Sequence, residues 1–286
     1  MTVLREQAHG KLNLTLDVRG RREDGYHELE SVMAKVSLCD DITLTLDTGR
    51  PWELVCSDPK LPQNEGNLCW KAARLYFDAA GVEPDGLRIE IEKRVPAQAG
   101  MAGGSSDAAA VLRALDRHYG LLDEAALRKL ALQTGSDVPF CLSGSVSLVG
   151  GRGERLSPLP TLPRQALCVL VQPEFSISTP WLFAELDRRG CALHPDSAAL
   201  TDALAAGSLP RLGAALGNSF SPLAEELFPV VGELKRRLRG LGALGAELTG
   251  TGSVVFGLFD EPAAAEAARD ALSAEYPKTL LTGFSS

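Results

Sequence analysis

The chain has 286 residues, of which 45% are hydrophobic and 23% are charged, a composition that excludes a mostly disordered protein. Its length suits one large domain or two of about 140 residues each. With 29 Lys and Arg against 37 Asp and Glu, the net charge of −8 argues against a general nucleic-acid binder, although a local pocket can still hold an anionic small molecule.

No apolar run reaches the roughly 18–20 residues that span a bilayer, and the first residues do not form a secretory signal. The 6 cysteines include no C-x-x-C pair and lie among apolar neighbours. We therefore expect buried free thiols rather than zinc or disulfides, a cytoplasmic location, and no partnership with membrane or nucleic acid.

Alternating apolar and polar residues predict strands in the first third of the chain. One strand covers residues 12–18, after an interruption at Ala8–Lys11, and residues 29–46 hold two strand-like runs around Cys39–Asp41. Residues 67–80 have helical spacing, with Asn67 as the N-cap and Gly81 as the C-cap.

A Gly-rich segment then follows a predicted strand over residues 87–95 and leads into an Ala/Leu-rich helix that ends near Tyr119. The next elements are a helix over 123–132, a short turn over 136–140 and a strand over 145–149.

Three prolines between Pro158 and Pro163 mark the predicted boundary between an N-terminal domain, 1–158, and a C-terminal domain, 159–286. Strands dominate the first third of the chain and helices the middle, so we expect an α+β fold rather than a regular βαβ alternation. The predicted elements of the second half are a strand over 166–171, a helix opened by Thr179 and Pro180, helices near 196–206, 209–216 and 229–239, strands over 243–248 and 253–259, and a helix over 262–272.

The strongest chemical signal is the glycine loop at Gly100–Ser106, between a strand and a helix. Glycines let a ligand approach the backbone closely, and the unpaired N–H groups of a helix N-terminus favour phosphate. The loop lacks the Lys of a Walker A motif and the spacing of a dinucleotide fingerprint. A strand-to-helix turn with serine caps and no ligand is the alternative.

Four weaker signals could complete a phosphoryl-transfer site. Lys11 could hold a phosphate or be a surface lysine, and Asp137 could be a general base or a capping or turn residue. Tyr26 and His27 could stack on a base and read its edge, or form a hairpin turn. The glycines of Thr249–Ser253 could approach the site or form a simple hairpin. Together these features suit a kinase, in which positioning and charge do most of the catalysis.

These residues carry a resemblance to a known family. The segment from Pro96 to Ala108 resembles the phosphate loop of the GHMP kinases, Lys11–Leu14 resembles their first motif, and residues 246–255 resemble their third. Residues 22–29, which include Asp24-Gly25-Tyr26-His27, are similar to a segment of the branch that acts on 4-diphosphocytidyl-2-C-methyl-D-erythritol. The resemblance covers essentially the whole chain.

The resemblance implies the two-domain GHMP kinase fold: an N-terminal ATP-binding domain that is ribosomal-protein-S5-domain-2-like, a C-terminal α+β domain, and an active site in the cleft between them. It implies ATP-dependent phosphorylation of the 2-hydroxyl of a cytidine diphosphate alcohol, a step of the non-mevalonate isoprenoid pathway. ATP would bring Mg²⁺, held weakly near Ser105 or Ser106, and the protein would be a monomer or a homodimer.

The resemblance also implies residue roles. Asp137 would be the catalytic base and Lys11 its cationic partner. The substrate would be bound by Asn13 at its methylerythritol end and by Tyr26, His27, Thr179 and Phe183 around cytosine, with Tyr26 and Phe183 on its two faces. ATP would be bound by Pro96, Gly100, Met101, Ala102, Gly103, Gly104, Ser105 and Ser106, with Asn67 and Lys93 near adenine.

Two alternatives remain at this point. The chain could be another GHMP small-molecule kinase, of the homoserine or mevalonate type, against which the Asp24–His27 segment argues. It could also be a non-catalytic ATP-binding module on the same fold, which the joint presence of Lys11 and Asp137 disfavours.

Overall fold

A computed structural model describes residues 1–285 of the chain, which folds into two compact units. The first unit contains Met1–Gly10, Leu38–Ala97 and Ala102–Gly144. The second contains Lys11–Ser37, Gln98–Met101 and Ser145–Ser286. The two contiguous domains predicted from the prolines near residue 158 divide the chain differently, and that boundary stays a prediction.

The first unit combines strands with a layer of helices. Its elements, two of which continue into the second unit, are β1 (Thr2–Arg21), β2 (His27–Leu46), β3 (Glu53–Cys56), α1 (Leu68–Ala80), β4 (Leu87–Glu92), α2 (Gly103–Tyr119), α3 (Glu124–Thr134) and α4 (Val138–Leu142). Within this unit β4 lies between β2 and β3, antiparallel to β2 from Asp41↔Glu92 to Leu46↔Leu87 and parallel to β3.

The core of the first unit forms where α1 packs along α2. Residues Ala108–Leu112 of α2 are buried on every side, because alanines let the neighbouring backbones approach closely. Phe77 packs edge-on against Tyr119 at the end of α2, with 6.0 Å between the ring centroids. This packing holds α2 firmly behind its N-terminus, where the glycine loop ends.

The second unit contains the remaining elements. They are β5 (Val146–Gly151), β6 (Arg155–Pro158), β7 (Leu167–Val171), α5 (Thr179–Arg189), α6 (Ser197–Ala205), α7 (Leu209–Ala215), β8 (Gly217–Asn218), α8 (Ser221–Leu227), α9 (Pro229–Gly240), β9 (Gly245–Leu248), β10 (Val255–Phe259), α10 (Pro262–Ser273) and β11 (Thr279–Gly283).

Two groups of strands organise this unit. In one, β5 pairs antiparallel with Leu29–Ala34 of β2 and with β6, while Thr15 and Leu16 of β1 pair in parallel with β8. In the other, four antiparallel strands lie in the order β11-β7-β10-β9. Helices α5, α8, α9 and α10 contribute buried apolar side chains to the core beside these four strands. The predicted α+β class is confirmed.

The capped helix at Leu68–Ala80 is confirmed: the Asn67 side chain accepts from the N–H of Cys69, and Gly81 adopts a left-handed conformation. Both predicted interruptions in the early strands are wrong. Strand β1 is continuous through Ala8–Lys11. Strand β2 is continuous through Cys39–Asp41, because the buried Asp40 carboxylate accepts a hydrogen bond from the backbone N–H of Val95, after the end of β4. The turn predicted at 136–140 is confirmed at Ser136 and Asp137 alone, since Val138–Leu142 forms a short helix.

The cysteines are free thiols, and Cys191 alone of the 6 is more than marginally exposed. Among residues 1–285 no helix is both long and apolar enough to cross a membrane.

Candidate active site

The N-terminus of α2 presents unpaired backbone N–H groups. The helix begins at Gly103, directly after Ala102, which has a left-handed φ of 55° and supplies no side-chain cap. The first N–H groups of a helix have no intrahelical acceptor, and the helix dipole adds partial positive charge there. Gly104 is exposed and Ser105 is half-buried, so this turn is open to an anion.

The two serines of this turn differ in what they can reach. The Ser106 hydroxyl is buried and donates a hydrogen bond to the carbonyl oxygen of His9. Within the described part of the chain, the Ser105 hydroxyl has no such partner. Ser105 is therefore the better candidate for a phosphate oxygen or a phosphate-bound cation, and Ser106 fixes the helix start to β1.

A buried ion-pair group stands behind the first turn of α2. The Lys93 ammonium lies 2.5 Å from a carboxylate oxygen of Asp40 and 2.6 Å from one of Asp107. Asp40 also accepts from the backbone N–H groups of Arg94, at 2.5 Å, and Val95, at 2.8 Å. The group ties β2, the end of β4 and α2 together, so it positions the helix that carries the uncapped turn.

Burial and charge oppose each other in this group. Burial acts to lower the pKa of Lys93, but the carboxylates of Asp107 and Asp40 outweigh it, so the pKa lies above its usual value. Burial also raises the pKa of Asp107, to about 8, against the attraction of Lys93. A Cβ at Gly103 would stand 3.3 Å from the Lys93 ammonium, so a glycine leaves room for the ion pair.

Two further residues predicted to bind ATP have identifiable structural roles in the first unit. Asn67 caps α1 and donates from its amide nitrogen to the carbonyl of Pro62, at 2.8 Å. The Lys93 ammonium pairs with the carboxylates of Asp40 and Asp107. Their placement near adenine stays a prediction, as does that of the half-buried Pro96.

The second unit holds a network centred on Lys11. The side chain is only 3% exposed, and its ammonium donates to Oδ1 of Asn13, at 2.5 Å, and to the carbonyl of Gly100, at 2.8 Å. Asn13 donates from its amide nitrogen to the Ser31 hydroxyl, at 2.8 Å, and from its backbone to the Thr249 hydroxyl, at 3.0 Å. A snorkelling surface lysine is therefore the wrong interpretation of Lys11.

The two predicted glycine loops meet within this unit. Gly100 has a φ of 78°, and a Cβ there would lie 2.0 Å from the carbonyl oxygen of Thr249. The Thr249 hydroxyl also donates to the Gly100 carbonyl, at 3.2 Å. Loop 249–253 does join the antiparallel strands β9 and β10, but it also supports Gly100 of the first glycine loop. Met101 is fully buried, which leaves its backbone for any contact with ATP.

The residues predicted to bind the base surround the start of β2 and of α5. Tyr26 is 49% exposed, and the Arg152 guanidinium lies 4.9 Å from its ring centroid. The His27 ring packs on Phe183, with 4.6 Å between the centroids. Thr179 is hydrogen-bonded to Thr251 through their hydroxyls, at 2.7 Å. Cytosine stacking by Tyr26 and by Phe183 stays a prediction, and Phe183 already has one face turned to His27.

Asp137 precedes the first residue of α4 but does not cap it. Its backbone is helical, with φ −86° and ψ −12°, and its side chain accepts no N–H of the following turn. The carboxylate is half-buried. A capping role is therefore excluded, and the role of Asp137 as general base stays a prediction.

Sequence reasoning missed several residues that shape these sites. Asn218 donates to the carbonyls of Leu248 and Gly250, both at 2.8 Å, and so fixes the second glycine loop. Asp187 contacts His27, at 2.7 Å. The signal that could have marked Asn218 is a polar residue in a buried strand. Its partners lie 30 residues or more away in the sequence, so the sequence alone does not reveal which groups it contacts.

The residues at the start of α2 fit a nucleotide triphosphate better than a metal ion held by protein alone. No cluster of three or more His, Cys, Asp or Glu side chains suited to a metal occurs in the part of the chain that the structure describes. The donors at Gly103–Ser105 are N–H groups and one hydroxyl, which suit phosphate oxygens. A magnesium ion here would need oxygen ligands from the phosphates.

Two stretches of the chain match models of one family. Residues 67–145 match GHMP kinases N terminal domain, and residues 200–278 match GHMP kinases C terminal. The first stretch contains the uncapped turn of α2 and Asp137, and the second contains Asn218 and the second glycine loop.

Relatives named 4-diphosphocytidyl-2-C-methyl-D-erythritol kinase match nearly the full length. The protein of Pelotomaculum thermopropionicum is 40% identical over 278 residues, which cover 97% of this chain and 95% of the relative. The protein of Geobacter sulfurreducens is 37% identical over 275 residues, which cover 96% of each.

Solved structures agree with this similarity. A crystal structure of 4-(cytidine 5'-diphospho)-2C-methyl-D-erythritol kinase has a TM-score of 0.82 and 37% identity, covering 99% of this chain and 100% of its own. Homoserine kinase from Cytophaga hutchinsonii has a TM-score of 0.76 at 18% identity, with 100% and 95% coverage. At that identity the second likeness shows a shared fold alone.

Proposed function

Because the chain belongs to the GHMP kinases, and within them to the 4-diphosphocytidyl-2-C-methyl-D-erythritol kinase family, we propose that it transfers the γ-phosphoryl group of ATP to the 2-hydroxyl of that cytidine diphosphate alcohol. The single observation that carries this proposal is the uncapped first turn of α2. Its unpaired N–H groups and the Ser105 hydroxyl supply the donors that an ATP phosphate needs.

The phosphates would be held by the backbone of Gly103–Ser105. Helix α2 cannot shift easily, because Ala108–Leu112 in its middle are fully buried and Lys93 binds it through Asp107. Donors that are already in place cost little reorganisation when charge develops on the transferred phosphoryl group. Bound Mg²⁺, carried by ATP and held near Ser105, would supply charge neutralisation on the phosphate oxygens.

Asp137 acts as the general base in this proposal. Its carboxylate takes the proton of the 2-hydroxyl as that oxygen attacks the γ-phosphorus, and the bond to the β–γ bridging oxygen of ATP breaks in line. Lys11 acts as the fixed positive charge at the same hydroxyl, and it steadies the developing alkoxide. A buried ammonium held by Asn13 and Gly100 keeps its position during the reaction.

The cytidine end of the substrate is recognised by Tyr26 and His27. The exposed Tyr26 ring offers a stacking surface for cytosine, and the imidazole of His27 reads the edge of the base. Asn13 contacts the methylerythritol end. Thr179 and Phe183 complete the base site from α5, and Thr179 also steadies the second glycine loop through Thr251.

The proposal is tested by coupled-assay measurement of ADP release with ATP, Mg²⁺ and three acceptors: the cytidine diphosphate alcohol, homoserine and mevalonate. Release is expected with the first acceptor alone, together with a ³¹P signal for a new phosphate monoester. Turnover of homoserine or mevalonate in its place would overturn the substrate assignment. Tight ATP binding without turnover of any acceptor would make the chain a binding module.

A further inference from the structure

Helix α5 fixes the imidazole of His27 in two ways. Its Nε2 lies 2.7 Å from Oδ1 of Asp187, and its ring packs on Phe183 at a tilt of 32°. Phe183 and Asp187 are four residues apart, so one face of the helix presents both. The His27 side chain is only 12% exposed, which limits rotation of the ring.

The support behind this contact is rigid. Phe183 packs edge-on against Phe220, which is fully buried, with 4.8 Å between the ring centroids. The two arginines that follow Asp187 are engaged elsewhere, since Arg188 pairs with Glu185 and Arg189 pairs with Glu185 and Glu226. Neither arginine therefore competes with the imidazole of His27 for the Asp187 carboxylate.

The contact decides which ring nitrogen carries the proton. An ionised carboxylate only accepts hydrogen bonds, so the nitrogen that faces Asp187 must be the donor. In the neutral imidazole of His27 the proton therefore sits on Nε2, and Nδ1 keeps its lone pair. Carboxylates that face a histidine fix its tautomer in this way in many sites.

An acceptor at Nδ1 distinguishes two bases that have the same shape. Cytosine carries an amino group at position 4, which donates, whereas uracil carries a carbonyl there, which accepts. We propose that Asp187 is a positioning residue that holds Nδ1 of His27 as an acceptor and so selects cytidine over uridine diphosphate substrates. The inference rests on the proposed function, in which His27 faces the edge of the base.

The kinetic test compares kcat/KM for the cytidine diphosphate alcohol with kcat/KM for the uridine diphosphate ester of the same alcohol. In Asp187→Asn the side-chain amide can donate to Nε2, so the tautomer is no longer fixed. The ratio of the two kcat/KM values is expected to fall by about tenfold, the scale of one hydrogen bond. Asp187→Glu keeps a carboxylate and is expected to recover part of the ratio.

Asp202→Asn is the matched control, because it removes an exposed carboxylate of α6 in the same unit and leaves the partners of Asp187 and His27 intact. Its ratio is expected to equal that of the wild type. A merely structural role of Asp187 would lower kcat/KM for both substrates equally and leave the ratio unchanged. That outcome, in a folded Asp187→Asn variant, would overturn the proposal.

A second measurement does not depend on turnover. In protein labelled with ¹⁵N histidine, the Nδ1 resonance of His27 is expected to be that of an unprotonated nitrogen, and to shift toward a mixture of tautomers in Asp187→Asn. A protonated Nδ1 in the neutral wild-type ring would contradict the inference. If the wild type fails to phosphorylate the cytidine substrate, the proposed function fails, whereas the resonance still reports whether Asp187 sets the tautomer.

Discussion

Lys11 and Asn13 illustrate how a strand concentrates chemistry on one face. They are two residues apart in β1, so their side chains point to the same side of the strand. Both are buried, and the Lys11 ammonium reaches Oδ1 of Asn13 and the carbonyl of Gly100. A buried ammonium is costly unless oxygen atoms replace its water, and these two oxygens do so. The charge is therefore fixed in place before any ligand arrives.

Replacing Asp137 with Asn tests the base assignment. The amide cannot accept the hydroxyl proton, so kcat is expected to fall by ~10²–10⁴-fold while the KM for ATP stays nearly constant. Steady-state kinetics measure both values. Asp123→Asn, an exposed cap of α3, is the control and should retain wild-type turnover. A kcat within twofold of the wild type in Asp137→Asn would remove this residue from the chemistry.

Replacing Tyr26 with Ala tests stacking. Base–aromatic stacking contributes about 1–3 kcal/mol, so the KM for the cytidine substrate is expected to rise by roughly 5–150-fold with little change in kcat. Leu121→Ala, which truncates an exposed side chain in the first unit, should leave KM unchanged. If KM for the cytidine substrate does not move in Tyr26→Ala, the ring is only a neighbour of Arg152 and has no part in recognition.

At the scale of elements, the sequence predicts those helices and loops that are determined by contacts between residues close together in the chain. Helix α1 could be predicted with both caps because Asn67 and Gly81 act within a few residues of the helix ends. The continuity of β2 could not, because the buried Asp40 looks like a break until its partner Lys93, 53 residues away, is placed beside it. Likewise each glycine loop could be predicted, but the contact of Gly100 with Thr249 could not.

The contact between the glycine loops predicts the effect of Gly100→Ala. A Cβ would lie 2.0 Å from the Thr249 carbonyl oxygen, and the left-handed φ of 78° strains any side chain. The free energy of unfolding is expected to fall by about 2 kcal/mol or more, measured by urea denaturation. Gly240→Ala has open space around its Cβ and should not destabilise the chain. Equal stability of the two variants would mean that the loops do not press on each other.

The ion-pair group at α2 predicts a pH dependence of stability. Burial raises the pKa of Asp107 from 3.8 to about 8, so between these values the folded chain binds a proton that the unfolded chain has lost. Stability from this group is complete below about pH 4 and is lost as the pH rises toward 8.

Between pH 5 and 8.5 we expect the unfolding free energy of the wild type to fall further than that of Asp107→Asn, because over this range the folded chain must give up the Asp107 proton that the unfolded chain has already lost. Urea midpoints at the two pH values measure the difference. The exposed Asp270→Asn should follow the wild type. Parallel pH profiles of the wild type and Asp107→Asn would contradict the raised pKa.

At the scale of the whole chain, sequence order and spatial grouping disagree. The backbone passes between the two units five times, at residues 10, 37, 97, 101 and 144. Prolines near residue 158 are local signals and predict a single cut, whereas the grouping of Lys11–Ser37 with Ser145–Ser286 follows from strand pairs such as β2 with β5. Pairings between such distant segments leave no mark on the composition of either strand.

This interleaving sets an order of events on the ribosome. Every residue of the first unit has been synthesised by position 144. Thr249, which contacts Gly100, is synthesised about 150 residues after Gly100 itself. At 5–20 residues per second, the nascent loop waits about 7–30 s for that support. A translation product that stops before residue 249 can thus form helix α2. It lacks Thr249, however, so Gly100, whose carbonyl accepts from Lys11, is left without that support.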